Sequence, residues 1–293
     1  MHCSKKKLPK CLSCDSNDYV IKRGFFIRRS DSKKIQKYKC KKCSKYFSDQ
    51  TFSYDYYLKK RYLNQKVFKL ICKGNSQRGI ALILDVKPEA IALRIRKFAI
   101  LAKKHLKLTR REEGLSEVFF DEMESFEHTK CKPVTIPIAV NPKSRKILSL
   151  RVGKIAAKGL LAEISRKKYG PRKCERKKKL TDVLTEIKDF SKQNISFSTD
   201  ESPHYPKLVK LILPESKHIQ HKGRRGCVVG QGELKATGRD PLFSLNHTFA
   251  MIRDNVKRLS RRTWCTTKKI NMLENILYIY SYFHNQVIDK LKP

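Results

Sequence analysis

Carboxylates are scarce in this chain. Across 293 residues, 27 Asp+Glu stand against 67 Lys+Arg, for a formal net charge of +40. The imbalance is not a basic tail on a neutral body. Residues 1–115 hold 31 basic and 9 acidic side chains, and the remainder hold 36 and 18. Such a surface calls for polyanionic partners, and nucleic acid is the commonest polyanion inside cells. Long apolar runs are missing as well. No stretch of 18 or more apolar residues occurs, so no membrane-spanning helix is expected. The opening Met1-His2-Cys3-Ser4-Lys5-Lys6-Lys7 has no apolar stretch behind it, so no secretory signal is expected. Core-forming residues are present: with 40% hydrophobic and 9% aromatic side chains, the chain can fold, and its length suits two or three domains. An intracellular protein keeps its cysteines reduced, so the ten here are read as ligands or core residues, not disulfides.

The first segment carries Cys11-x-x-Cys14 and Cys40-x-x-Cys43. Each Cys-x-x-Cys turn points two thiolates at one ion, and two such turns complete a tetrahedral zinc site. Between them, Tyr19–Gly24 and Gln36–Cys40 alternate like the strands of a ribbon, and Tyr46-Phe47 would pack a tiny core. We therefore expect a zinc ribbon over residues 1–52, with Zn2+ replacing a core too small to fold alone.

Residues 53–112 read as helices. Val67, Leu70 and Ile71 form a stripe ending at Gly74, and Ile80, Ala81 and Leu84 mark a second helix. Asp85-Val86-Lys87 is a turn, and Pro88 suits the first turn of a third helix. Its Ile91, Ile95 and Phe98 face inward, while Arg94, Arg96 and Lys97 are expected to face outward. This is the plan of a helix-turn-helix with its last helix in the major groove of double-stranded DNA. Residues 105–115 look like a polar linker.

From residue 113 to 293 the rhythm changes. An apolar strand carrying Asp121 leads to a hairpin around Asn141-Pro142-Lys143, then an amphipathic helix with Val183, Leu184, Ile187 and Phe190 inward. A second apolar strand (Ile195, Phe197, Thr199) ends in Asp200-Glu201. A helix, a short strand "KHIQH", a long helix from about Asn246 to Arg262 and an apolar last helix complete the chain. That order matches a ribonuclease-H-like α/β layer, so the fold class expected is α/β: a ribonuclease-H-like catalytic domain after a zinc ribbon and an all-α helix-turn-helix domain. In that topology the strands of Asp121 and Asp200 lie side by side. Two neighbouring carboxylates repel unless a cation sits between them, and Mg2+ prefers such oxygen ligands. A metal pair would activate a nucleophile and stabilise the leaving oxygen of phosphoryl transfer. Glu122 and Glu201 follow the two Asp residues and should face the other way. Lys257, Arg258, Arg261 and Arg262 at the end of the long helix are read as phosphate contacts. His218-x-x-His221 is read as a basic strand edge.

Taken together, the chain resembles the short bacterial insertion-sequence transposases of the DDE type. The resemblance rests on the paired cysteines, the helices after them, and the blocks "FDEMESF", "STDES" and "LNHTFAMIRDNVKRLSRRTWCTTK". It implies metal-dependent cleavage of transposon ends, with Mg2+ or Mn2+, followed by attack of the freed 3′-hydroxyl on target DNA. It also implies at least a homodimer on DNA and a bacterial, cytoplasmic, nucleoid-associated protein. The usual third ligand of the family is a Glu on the long helix, seven residues before a basic residue. Asn246 stands at that position here, followed by Arg253, and a relative of the family resembles this chain in using Asn. The resemblance makes Asp121, Asp200 and Asn246 the metal-binding catalytic set, with Glu233 and Asp240 as acids able to replace Asn246. An uncharged third ligand also admits a non-catalytic, sequence-specific DNA-binding protein, and the same fold admits a nuclease that cuts without joining.

Overall fold

A computed structural model describes residues 8–222, 240–260 and 265–290. The chain divides into two compact units, Met1–Gln65 and Lys66–Pro293.

In the first unit, β1 (Val20–Arg28), β2 (Lys33–Cys40) and β3 (Tyr46–Ser48) form an antiparallel sheet in that order. Two-residue alternation sends Val20, Tyr38, Cys40 and Phe47 to one face, where they form a small core with Cys11. The register slips between Lys22 and Phe25, and Gly24 takes the positive φ of 71° there, as a bulge requires. Five buried side chains are a meagre core, which agrees with the need for a cross-link in so small a sheet.

The second unit begins within α1 (Asn64–Cys72), followed by α2 (Gln77–Ile83) and α3 (Pro88–Glu113). Ser76 caps α2 by accepting the Gly79 N–H, and Pro88 opens α3. The expected linker at 105–115 does not exist as such. Its first nine residues are the last turns of α3, because Ala102, Leu106 and Arg110 continue the buried stripe at four-residue spacing. Gly114, in the left-handed region at φ 52°, ends the helix and turns the chain straight into β4 (Leu115–Phe126). Helix α3 lies along α8 (Ile270–Lys290) and against β6 (Ile147–Leu150), so these helices belong to the same compact unit as the sheet.

That sheet is mixed and six-stranded, in the order β6-β5-β4-β8-β9, with β7 (Gly153–Lys154) paired to β5 (Pro133–Val140). Strands β4, β5 and β6 run antiparallel as a meander. Strands β8 (Ser191–Asp200) and β9 (Lys217–His221) run parallel to β4. Seven consecutive residues of β5, Val134–Val140, are buried, which requires cover on both faces. On one face α5 (Arg176–Lys188) and α6 (Tyr205–Ile212) pack Val183, Leu184, Ile187 and Val209 against Val118, Phe120, Ala139 and Phe197. Helices α3, α7 (Phe243–Asn255) and α8 pack against β4, β5 and β6. A short helix, α4 (Leu161–Tyr169), was not anticipated from sequence. The described residues thus form a mixed α/β fold with eight helices.

Candidate functional site

Two clusters of chemistry-bearing side chains stand out, one in each unit. In the first, the sulfurs of Cys11, Cys14, Cys40 and Cys43 all lie within 4.8 Å of one another. Four thiolates around one zinc ion at about 2.3 Å sit about 3.8 Å apart, so the donor set and its spread fit such an ion. The local backbone explains the convergence. In each turn the residue after the second cysteine, Asp15 (φ 50°) and Ser44 (φ 57°), is left-handed. The Cys11 and Cys40 N–H groups donate to the Ser16 and Lys45 carbonyls, closing the two loops alike. The backbone amides of Ser13 and Cys14 point at Cys11 and draw its thiol down to about 7. Its neighbour Cys14 is pushed up to about 12, first by its hydrogen bond with Cys43 and then by burial. Four sulfurs this close compete to carry negative charge, a conflict that a dication removes.

In the second unit, the pairing of β4 with β8 sets Glu117 beside Ser196, Val118 beside Phe197 and Phe119 beside Ser198. Carrying that register two residues further sets Asp121 level with Asp200, on the same face as each other. Burial pushes the Asp121 carboxyl up to about 6. The Glu122 N–H pulls it down, the Asp200 charge raises it further, and the Tyr205 hydroxyl pulls it down again. The effect of Asp200 places two like charges within each other's field. Asp200 accepts the Ser202 N–H at Oδ1 (3.0 Å), and its carbonyl accepts from Gln220 (3.1 Å), so the end of β8 is tied to β9.

Tyr205 is a member of this site that sequence reasoning missed, although it stands five residues after Asp200 in "STDESPHYP". Its ring lies edge-on to Phe120, with centroids 5.3 Å apart, and its hydroxyl reaches Asp121. Glu122 points away, as alternation demands, and pairs with Arg176 at 3.2 Å while accepting the Thr135 hydroxyl. Glu201 is exposed.

Asn246 lies in the first turn of α7, which packs against β4 and β5 and is anchored by a bond from Ser244 Oγ to the Pro142 carbonyl. Its side-chain amide donates to Asp240 Oδ2 at 2.8 Å, and Asp240 Oδ1 accepts the Leu242 N–H at 2.9 Å. With its N–H2 committed to Asp240, Asn246 keeps its carbonyl oxygen for another partner. Two of the three groups considered for the third position, Asn246 and Asp240, therefore sit together. Glu233 lies outside the described residues.

The basic residues divide. Arg96 is exposed and Lys97 half-buried, as expected for the outer side of α3. Arg94 is not: it is 3% exposed, its Nη1 donates to the Ala90 carbonyl, and burial pushes its guanidinium down from the usual range. The reason is spacing, since position 94 falls three after Ile91 and four before Phe98, on the buried stripe itself. The expected long helix through Arg262 is also shorter. Helix α7 ends at Asn255, and Lys257–Leu259 form a separate 3-10 turn. Arg253 sits in the last turn of α7 and Lys257 is exposed. Arg258 is half-buried, lowered by burial, and lines a small cavity with Gly74, Ser76 and Cys265. Arg261 and Arg262 lie outside the described residues. His218 and His221 occupy β9, where His218 Nε2 lies 2.9 Å from Thr199 Oγ1. Among the described residues the four cysteines are the one metal-competent cluster of His, Cys, Asp and Glu side chains. No helix among the described residues is long and apolar enough to cross a membrane.

Searches with the chain against protein-family models and against curated proteins return no match.

Proposed function

We propose that this chain is a DNA transposase of the DDE type, with a ribonuclease-H-like catalytic layer, a zinc-stabilised ribbon, and the α1–α3 segment as its helix-turn-helix for transposon ends. One observation carries the reading: β4 and β8 pair in parallel with a register that, continued by two residues, sets Asp121 level with Asp200, and Asp121 feels the charge of Asp200. A fold that places two acids side by side, in a chain with a net charge of +40, reserves them for a cation. The donors this reading calls on are oxygens, two carboxylates and the Asn246 carbonyl, a set that would suit Mg2+ or Mn2+.

When bound, such ions supply Lewis-acid activation of the attacking oxygen and stabilisation of the leaving one. The chain's own residues supply position. Tyr205 and the Glu122 amide fix the Asp121 carboxyl; Ser202 and Gln220 fix the end of β8. Asp240 fixes Asn246. Arg96, Lys97, Arg253, Lys257, Arg258, Arg261 and Arg262 supply cationic contacts to DNA phosphates, which orient the strand without reading its sequence. Arg94 drops out of that set.

The test uses labelled duplex DNA from either side of the gene, incubated with the protein and Mg2+ or Mn2+ at low salt. Wild type is expected to cleave a 3′ end and join it to target DNA, whereas Asp200→Ala and Asn246→Ala do neither. Loss with Glu233→Ala in place of Asn246→Ala would move the third ligand but keep the chemistry. Asn246 is uncharged and already bonded to Asp240, and this favours one second reading: a DNA-binding protein that no longer cuts. Tight end-binding with no cleavage under either metal would establish that reading and overturn the enzyme.

A further inference from the structure

Strand alternation gives the first unit an outer face that its small core does not use. Opposite the core face of Val20, Tyr38, Cys40 and Phe47 lie Ile21 and Phe26 of β1, Ile35, Lys37 and Lys39 of β2, and Tyr46 of β3; Ile35 is buried and Phe26 half-buried, so the open part of this face is the end that carries Ile21, Lys37, Lys39 and Tyr46. Tyr19 extends the row, since its carbonyl accepts the Lys41 N–H just before β1 begins. Tyr19 is 49% exposed and Tyr46 is 63% exposed. Burying these rings would have been easy for a sheet short of core, yet they stand in solvent.

Each ring on this face is paired with a lysine. Lys42 Nζ lies 5.8 Å from the Tyr19 ring centre, Lys39 5.3 Å from Tyr46, and Lys37 5.6 Å from Phe26. Arg23 and then Lys39 hydrogen-bond the Tyr46 hydroxyl and draw it below the usual phenol range. No carboxylate stands among these residues, and residues 8–65 hold 15 Lys+Arg and 5 Asp+Glu. From the level of Tyr19, opposite Lys41, to that of Lys37 is four strand residues, about 13 Å. Rings at intervals with cations between them match what an unpaired strand offers: flat bases that stack on aromatic faces, and a phosphate at every step. A lysine on one side of a ring leaves the other side free for a base.

We propose that this face binds an unpaired DNA strand, with bases stacked on Tyr19 and Tyr46 and phosphates held by Arg23, Lys37, Lys39 and Lys42. Duplex DNA hides its base faces, so stacking selects single strands and leaves the charge contacts common to both.

The experiment is fluorescence anisotropy with the full chain carrying Asp200→Ala and no added divalent ion. It therefore reads binding whatever becomes of the catalytic reading, and end cleavage in wild-type protein reads that separately. The probes are a labelled thymidine 20-mer, an abasic 20-mer of the same charge, and polyglutamate as competitor. Changing Tyr19 and Tyr46 together to Ala is expected to weaken the thymidine strand about tenfold or more and leave the abasic strand within about twofold. Phe substitutions at both positions restore the stacking. Phe25→Ala removes a ring of comparable exposure, covered by Lys34 at 3.5 Å, from the opposite face and is expected to change nothing. Equal losses for thymidine and abasic strands would overturn the proposal, as would an equal loss with Phe25→Ala. Competition by polyglutamate as strong as by the thymidine strand would show an acidic-protein surface instead.

Discussion

The Tyr205 hydroxyl donates a hydrogen bond of 3.1 Å to Asp121 Oδ1, the same oxygen that accepts the Glu122 N–H at 2.6 Å. One carboxylate oxygen is thereby pinned by a side chain from α6 and by the strand's own backbone. Tyr205 is 2% exposed and its ring is wedged against Phe120, so the hydroxyl has little freedom to turn elsewhere.

Tyr205→Phe tests what that bond does. The ring and its packing stay, so the fold should lose only about 1 kcal/mol. Asp121 loses a donor that favours its charged form. On the transposase reading proposed above, higher Mg2+ or Mn2+ should then be needed for half-maximal end cleavage, with DNA affinity unchanged. A metal titration of wild type and variant checks this, and unchanged metal dependence would leave Tyr205 a packing residue only.

The raised pKa of Asp121 predicts a stability that depends on pH. In the unfolded chain its carboxyl titrates near 3.8, and in the fold it is pushed up to about 6. Between those values the fold holds a proton that the unfolded chain has released, so stability falls as pH rises through this window. Above about pH 6 the full penalty applies, about 3 kcal/mol for a shift of this size. Asp121→Asn carries no such penalty. It should melt higher than wild type at pH 8, with the gap closing toward pH 4. Thermal melts across that range measure it, and added Mg2+ should narrow the gap at pH 8 by stabilising wild type alone.

Much of this site was legible in the sequence because the pattern had only two letters. Alternating apolar residues in "FFDEM" and "ISFSTD" could only be buried strands, and an Asp at the end of such a run is conspicuous in a chain so poor in acids. The two Cys-x-x-Cys turns were legible for the same reason, since their spacing is itself the geometry. Periodicity failed where a charged residue occupies an apolar position. Arg94 and Arg110 both continue the buried stripe of α3, yet each reads as surface when judged by type. That error placed Arg94 on a DNA face and turned 105–113 into a linker. Tyr205 escaped notice because its role needs a strand register and a helix packing angle, neither of which is local to its own sequence.

Zinc removal should act on the first unit. Its core of Cys11, Val20, Tyr38, Cys40 and Phe47 includes two of the four clustered sulfurs, so losing an ion held there would remove a cross-link and strand buried thiols together. We expect one zinc per chain by elemental analysis, with none retained by Cys40→Ser. Protease digestion with and without a chelator should show residues 8–65 become sensitive while the sheet of the second unit persists. Metal-free protein that resists protease as well as the zinc form would refute the structural role of the cysteines.

The last turns of α3 make the sharpest test of how the second unit is built. Arg110 Nη1 donates to the Leu148 carbonyl at 2.7 Å and lies 3.3 Å from Glu186 Oε2, with its guanidinium 5.5 Å from the Phe190 ring centre. Glu186 also pairs with Arg151 and accepts from Ser149 Oγ, and Arg151 reaches the Tyr278 hydroxyl. A single cation on α3 therefore joins β6, α5 and α8 through one buried network. Removing it leaves the Leu148 carbonyl without that donor and Glu186 with one cation fewer, though still paired with Arg151, so Arg110→Ala should cost about 1.5–3 kcal/mol in a denaturant melt. Its exposed neighbour Arg111 has no such ties, and Arg111→Ala should stay within about 0.5 kcal/mol. A linker between independent domains would tolerate both changes equally. The contrast between adjacent arginines thus decides whether α3 is welded to the mixed sheet, and with it whether Arg96 is held in fixed relation to Asp121 and Asp200.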